Sequence, residues 1–343
     1  MVRITRFKYA IAITLALLLT TSMGFTGASA DSALGQNQSL PKKGKSGSRS
    51  ANTPAVLWQE PADIGTRDLF YGIGGQAGAP DPSQPFTFIR HSKSGTQKKV
   101  IVEDNLGRKW TVKFGPEARP ETTATRIVWA VGYHVDQDYF VPQARIAGKE
   151  NIDARDVRFE RRNDGYEEDG NWQWDKNPFV GTRELEGLKI LMALLKNWDL
   201  KSKNNDIITP KKGSGPQIYY VADLGATFGQ TGTFLNSMPL FGNLPPEMSF
   251  SPGKAKGDPD AFTDEKFIEG VRGGKVIFYA RRSGTRNKLK GITVASARWM
   301  GGLLGRLSDK QLTDAFCAGG FDQAETRAYL RTLRARIRQL QQL

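Results

Sequence analysis

Between residues 86 and 131 the hydrophobic period of the chain changes from two to about 3.6, and that change sets its fold class. Phe86–Arg90, Lys98–Glu103 and Lys109–Phe114 alternate apolar with polar side chains, as half-buried strands do. The polar turn Ser92–Thr96 joins the first two, and Asp104-Asn105-Leu106-Gly107 forms a tight turn before the third. Pro120 and Glu121 then open a helix in which Ala124, Ile127, Val128 and Val131 recur at helical spacing, and Gly132 ends it. Tyr139–Ile146 and Val157–Arg161 read as further strands, and the polar, acidic piece 163–177 as a loop or crossover. Beyond it Thr182 caps a helix that buries Leu185, Leu188, Leu191, Met192 and Leu195, and Ile218–Ala222 is a strand. A Gly/Pro-rich segment follows Gly225. Helices are expected near Asp264–Gly270 and Val294–Leu304, and capping boxes at Ser308/Gln311 and Asp322/Glu325 start two more. The expectation is an α+β chain with a small antiparallel β lobe carrying one helix (86–178), then a larger, mainly helical lobe (179–343). An irregular lead-in (55–85) precedes both.

Residues 1–30 have the three parts of a secretory signal. Arg3, Arg6 and Lys8 precede the apolar run Ala10–Leu19, which is too short to span a bilayer as a mature helix. Ala28-Ser29-Ala30 supplies a small-residue cleavage site, so Asp31 is the expected mature N-terminus. Residues 31–54 are a polar, basic tether without apolar periodicity. The expected location is outside the cytoplasm, periplasmic or extracellular. The formal charge of +14 favours anionic partners or reflects a solvated basic surface, and no specific nucleic-acid signal accompanies it. Cys317 is the sole cysteine, so no intramolecular disulfide forms, and its apolar neighbours read as a packed helix. With only His91 and His134, zinc-hydrolase clusters have no ligand set and a Ser-His-Asp triad little scope. Gly72-Ile73-Gly74-Gly75 has the composition of a phosphate loop but lacks a flanking strand and helix.

Two polar clusters carry the chemistry. Asn197-Trp198-Asp199-Leu200-Lys201-Ser202-Lys203-Asn204 follows a buried helix, and Asp223-Leu224-Gly225 follows a strand. Phosphoryl transfer to a hydroxyl needs a carboxylate to orient the acceptor, an amide oxygen and a second carboxylate for a metal ion, and a cation for the moving phosphoryl group. Asp199, Asn204, Asp223 and Lys201 have the types for those roles in that order. Lys113, late on the third strand, has the reach for a nucleotide's phosphates if a helix carboxylate holds it, with Glu121 the natural partner and Glu117 the fallback. Asn205 and Asp206 are either additional ligands or ordinary loop residues. Taken singly, Asp199, Asn204, Asp223 and Lys113 are also what turns, caps and strand exits use.

Asp-Leu-Lys-x-x-Asn followed by Asp-Leu-Gly, with Val-x-Lys before them, resembles the catalytic loop, metal-binding triplet and strand lysine of the protein-kinase-like superfamily. The likeness runs in lobe order over about residues 86–343. It implies a two-lobed fold, ATP with Mg²⁺ or Mn²⁺ in a cleft, and transfer of the γ-phosphoryl to a hydroxyl acceptor on a protein, lipid or small molecule. It further implies Lys113 and Glu121 at the nucleotide, Asn204 and Asp223 at the metal, and Asp199 and Lys201 in catalysis. The chain lacks Gly-x-Gly-x-x-Gly between its first two strands and has no clear Ala-Pro-Glu, and Asn197-Trp198 stands where eukaryotic protein kinases have His-Arg. It is accordingly more similar to the phosphatidylinositol, toxin-type and secretory-pathway branches. The alternative is a catalytically inactive scaffold of this kind, binding anionic ligands in the envelope. In the C-terminal helix Leu330, Leu333, Ile337 and Leu340 form a stripe that packs on the domain or presses on an anionic membrane surface.

Overall fold

Alternation along five strands closes a β-barrel. The structure, a computed structural model, describes residues 53–92, 98–161, 165–212, 215–229 and 256–343. The expected signal, most of the tether, most of the Ser92–Thr96 turn and most of the Gly/Pro-rich segment lie outside the described residues. After β1 (Ala55–Val56) and a four-residue helix α1 (Gly75–Gly78) come β2 (Phe86–His91), β3 (Lys99–Glu103) and β4 (Lys109–Lys113). Helix α2 (Ala118–Ala130), β5 (Gln137–Gly148) and β6 (Ile152–Arg161) follow. The barrel order is β2-β3-β4-β6-β5. Phe86, Val100, Val102, Trp110, Val112, Val141 and Phe159 point inward and form a core of their own. The expected sheet was antiparallel throughout, but β2 pairs with β5 in parallel, Phe86 opposite Ile146, and this pairing closes it. Closure leaves these strands without the exposed edges an open sheet would present.

The second half of the described chain carries more strand than its pattern suggested. It contains β7 (Tyr166–Asn171), α3 (Arg183–Leu194), β8 (Asn205–Pro210), β9 (Gln217–Val221), α4 (Pro259–Asp264), β10 (Ile268–Arg272) and β11 (Lys275–Phe278). Helices α5 (Ser283–Lys288), α6 (Val294–Gly305), α7 (Asp309–Ala318) and α8 (Gln323–Gln341) complete it. The piece expected as a loop at 163–177 contains β7, an edge strand of the sheet β1-β9-β8-β7. Its acidic side chains stay in water at that edge, which hides the strand from an apolar-periodicity reading. The helix expected near Asp264–Gly270 is displaced. Asp258 caps α4 by accepting from Ala261 N at 3.0 Å, Pro259 occupies its first position, and 268–272 is strand instead. Gly273 and Gly274, at φ +57° and +70°, make the tight turn from β10 to β11. The mixed α+β class is what the chain adopts.

Capping sets the remaining helices. Thr182 Oγ1 accepts from Leu185 N at 3.3 Å, and both expected capping boxes form, at Ser308/Gln311 and Asp322/Glu325. The α8 stripe faces inward: Leu333, Ile337 and Leu340 are buried with Tyr329, and Leu330 packs half-buried beside them. That face is therefore not free for a membrane. Tyr329 stacks on Phe316 with ring centres 4.7 Å apart and meets Phe228 edge-on at 5.4 Å. This aromatic cluster anchors the backbone just past Asp223-Leu224-Gly225 to α8. Cys317 is not packed; it lies exposed on α7.

Candidate active site

Strand parity aims Lys113 away from the barrel core. Trp110 and Val112 enter the core, so Lys109, Thr111 and Lys113 fall on the other face of β4, toward a cleft of about 730 Å³. Lys99, Arg90 and Arg161 share that cleft's wall. Beyond β4 the chain turns into α2, whose cap residue Glu117 and fourth residue Glu121 lie one helical turn apart on one face. Lys113 Nζ reaches both carboxylates at 2.8 Å, and Asp223 Oδ1 at 3.6 Å. Of the sequence's two partners for Lys113, the structure uses both.

The opposite wall is built by the β8–β9 register. Asn205 pairs with Val221, so Asn204 and Ala222, at the free ends of the two strands, become neighbours and Ala222 N donates to Asn204 O at 2.9 Å. Asp223 is thereby brought beside Asn204 although 18 residues separate them in sequence. Asn204 Nδ2 donates to Asp199 O at 2.8 Å, which fixes the loop between them and leaves its Oδ1 for another partner. Asn197 Oδ1 accepts from Asp199 N at 3.0 Å, and Lys201 Nζ lies 2.8 Å from Asp199 Oδ1. Trp198 N donates to Ala226 O, and Phe228 N to Leu195 O, tying the loop to the segment after Asp223. Lys113, Asp199, Lys201, Asn204 and Asp223 all line the one cleft. Asp206 lines it too and accepts from Asn171 Nδ2 at 2.7 Å, while Asn205 is buried and donates to Trp172 O.

The electrostatics centre on Glu121. It is fully buried, accepts from Lys113 Nζ, and takes Arg158 Nη1 at 3.1 Å and Leu224 N at 3.2 Å. Lys113 and Arg158 are direct cross-strand neighbours on β4 and β6. Two like charges there repel unless carboxylates separate them. Glu121 bridges the pair, while Asp138, at 2.8 Å, and Glu160 hold the far side of Arg158. Burial disfavours the Lys113 ammonium, but Glu121, Asp223 and Glu117 outweigh it and its pKa rises. Burial likewise pushes Glu117 up, yet Lys113 and Lys256 overcome it and hold the carboxyl at about 2. Glu121, with no access to water, is pushed up by burial to about 7 against the pull of Arg158 and Lys113.

Arg158 and Lys256 were missed in the sequence. Arg158 became legible only through the β4–β6 register, and Lys256 reaches Glu117 across 139 residues of chain. The Gly72–Gly75 stretch does not line the cleft: Gly72 packs against Arg126, and Gly74 against Gln137 and Tyr139.

Oxygen donors suit a hard divalent cation. The Oδ1 of Asn204, without a hydrogen-bond partner among the described residues, and the partly exposed carboxylate of Asp223 are such donors on the cleft wall. The Glu117, Glu121 and Asp223 oxygens also lie within 4.8 Å of one another, but the Lys113 ammonium already occupies their centre.

No family model matches the chain, and no curated protein matches it. Among solved structures it is similar to a Helicobacter pylori proinflammatory kinase, CtkA, at 13% identity and a TM-score of 0.42. The match covers 76% of this chain and 97% of that one.

Proposed function

We propose that this chain is an exported, ATP-dependent phosphotransferase on a two-lobed, protein-kinase-like fold. The observation that supports it most is the convergence of Lys113, Glu121 and Asp223 on the same cleft as Asp199 and Asn204. Lys113, held by Glu121, meets the α- and β-phosphates. Asn204 and Asp223 are the residues that would hold Mg²⁺ or Mn²⁺, which supplies charge neutralisation to the phosphates when bound. Asp199 orients the acceptor hydroxyl and takes its proton as the acceptor oxygen bonds to the γ-phosphorus and the bond to the β-phosphate oxygen breaks. Lys201, beside Asp199, offsets charge on the moving phosphoryl group. The exported location rests on the signal in residues 1–30.

Incubating the mature protein with radiolabelled ATP, Mg²⁺ or Mn²⁺ and envelope extract tests this. Label is expected with wild type and not with Asp223→Ala; equal labelling by both sinks the mechanism. A second reading, an inactive scaffold that binds anionic ligands, draws on Lys99 and Lys109, which line the cleft with no carboxylate partner among the described residues. A thermal-shift titration separates the two. Stabilisation by nucleotide only with metal supports the enzyme, and stabilisation by an anionic polymer or lipid alone supports the scaffold.

A further inference from the structure

Between Glu269 and Asp309 the chain carries nine lysines and arginines and no carboxylate. These residues fold as the β10–β11 hairpin, α5 and α6. Among the described residues, only Arg281 of the nine makes an ion pair, with Glu265. The side chains of Arg272, Arg282 and Lys290 are exposed with no polar partner among the described residues. Glu186 accepts from Thr293 and Glu265 pairs with Arg281, which leaves most of the nine cations without a carboxylate partner among the described residues, and such an excess of one sign marks a place where opposite charge is met.

Its position is informative. Thr285 Oγ1 donates to Trp198 O at 2.8 Å, and Lys288 Nζ donates to Leu200 O. Helix α5 thus grips the carbonyls that nearly bracket Asp199, and Arg281 and Arg282 line a small cavity against Trp198. The basic surface is continuous with the loop assigned to acceptor orientation.

We propose that this surface docks an acidic polypeptide segment and that the acceptor hydroxyl is carried by that segment. The assignment of the acceptor rests on the kinase reading above; the docking surface does not. A membrane is the poorer occupant. Interfacial binding needs apolar side chains beside the cations, and Val271 is the only large apolar residue exposed in this stretch.

The test uses three serine peptides flanked by glutamate, glutamine or lysine, each also made with alanine for serine. Fluorescence anisotropy with the alanine peptides reads docking apart from catalysis. The glutamate peptide is expected to bind, to weaken with salt, and to lose about tenfold in affinity in the Arg282→Gln/Lys290→Gln double variant, the scale of two exposed charge contacts. Equal binding of all three peptides, or binding only to vesicles containing phosphatidylglycerol, overturns the proposal. With the serine peptides and Mg-ATP, label is expected on the glutamate peptide first. Label in extract proteins but not in that peptide overturns the acceptor assignment while the kinase reading stands. Acidic-peptide binding with no label anywhere refutes the kinase reading and supports the docking surface alone.

Discussion

Replacing Glu117 with glutamine removes one of three carboxylates around Lys113 and changes the side chain's volume little. In the folded protein burial pushes this carboxyl up, but Lys113 and Lys256 hold it at about 2, against an ordinary 4.5. Each pKa unit corresponds to about 1.4 kcal/mol, so the ionised group contributes on the order of 3 kcal/mol to stability. Because the folded value is the lower one, this contribution is complete above pH 4.5 and is lost as pH falls through about 2. Glu117 is nine-tenths buried at its side chain, so water screens little of it. Urea unfolding of wild type and Glu117→Gln at a series of pH values gives the difference directly. The gap is expected to be about 3 kcal/mol near pH 6 and to close steadily under pH 4.5. A gap that does not change with pH, or one below about 1 kcal/mol at pH 6, refutes the claim that Lys113 and Lys256 are held by an ionised Glu117.

Gly225→Ala places a Cβ 2.7 Å from Glu117 Cβ, so the substitution forces the Glu117 side chain aside and costs about 1–3 kcal/mol by thermal unfolding. In the Glu117→Gly background, which removes that Cβ, the same change is expected to be nearly neutral. Arg336 is buried, with its guanidinium donating to the carbonyls of Leu194, Phe262 and Glu265 and lying 3.9 Å from the Phe262 ring. Arg336→Met keeps the packing but orphans those carbonyls, at a cost of about 3 kcal/mol in urea unfolding. An unchanged midpoint would show that water replaces the guanidinium. Asn204→Ala is expected to raise the Mg²⁺ concentration needed for half-maximal nucleotide-dependent thermal stabilisation, with the melting temperature of the free protein lowered only slightly. The same Mg²⁺ dependence in both proteins would remove Asn204 from the metal.

Local signals were legible and long-range ones were not. Thr182, Ser308 and Asp322 announced their helices because a cap acts on backbone groups within three residues. Lys113, Asp199, Asn204 and Asp223 were legible as candidates because each closes a short segment of plain periodicity. What placed them in one cleft was the β8–β9 register and the turn from β4 into α2, neither of which leaves a mark in residue type. Strand β7 was missed because an edge strand with exposed acidic side chains has no apolar face to alternate. Residues 264–270 were misread because two short elements, a capped turn of helix and a hairpin strand, together imitate one helix.

Glu117 and Glu121 show how burial and neighbouring charges divide two groups that meet the same ammonium. They lie one turn apart on α2 and accept from the same ammonium at the same 2.8 Å. Glu117 sits at the cleft's edge with Lys256 as a second cation, so its ionised form wins. Glu121 has no exposed surface, and there the cost of burying charge exceeds what Arg158 and Lys113 return, leaving it at about 7. The sign is therefore reversed. With the folded value above the ordinary 4.5, the Glu121 contribution is complete below 4.5 and is eroded as pH rises through 7. Glutamine mimics the neutral form, so wild type is expected to lose stability relative to Glu121→Gln between about pH 4.5 and 7. Relative to Glu117→Gln it gains stability as pH rises through the range below 4.5. The constant offset from the hydrogen bonds each glutamine fails to make does not enter the slope. If the two difference curves run in the same direction, the two carboxylates share one environment, and the division of labour around Lys113 is wrong.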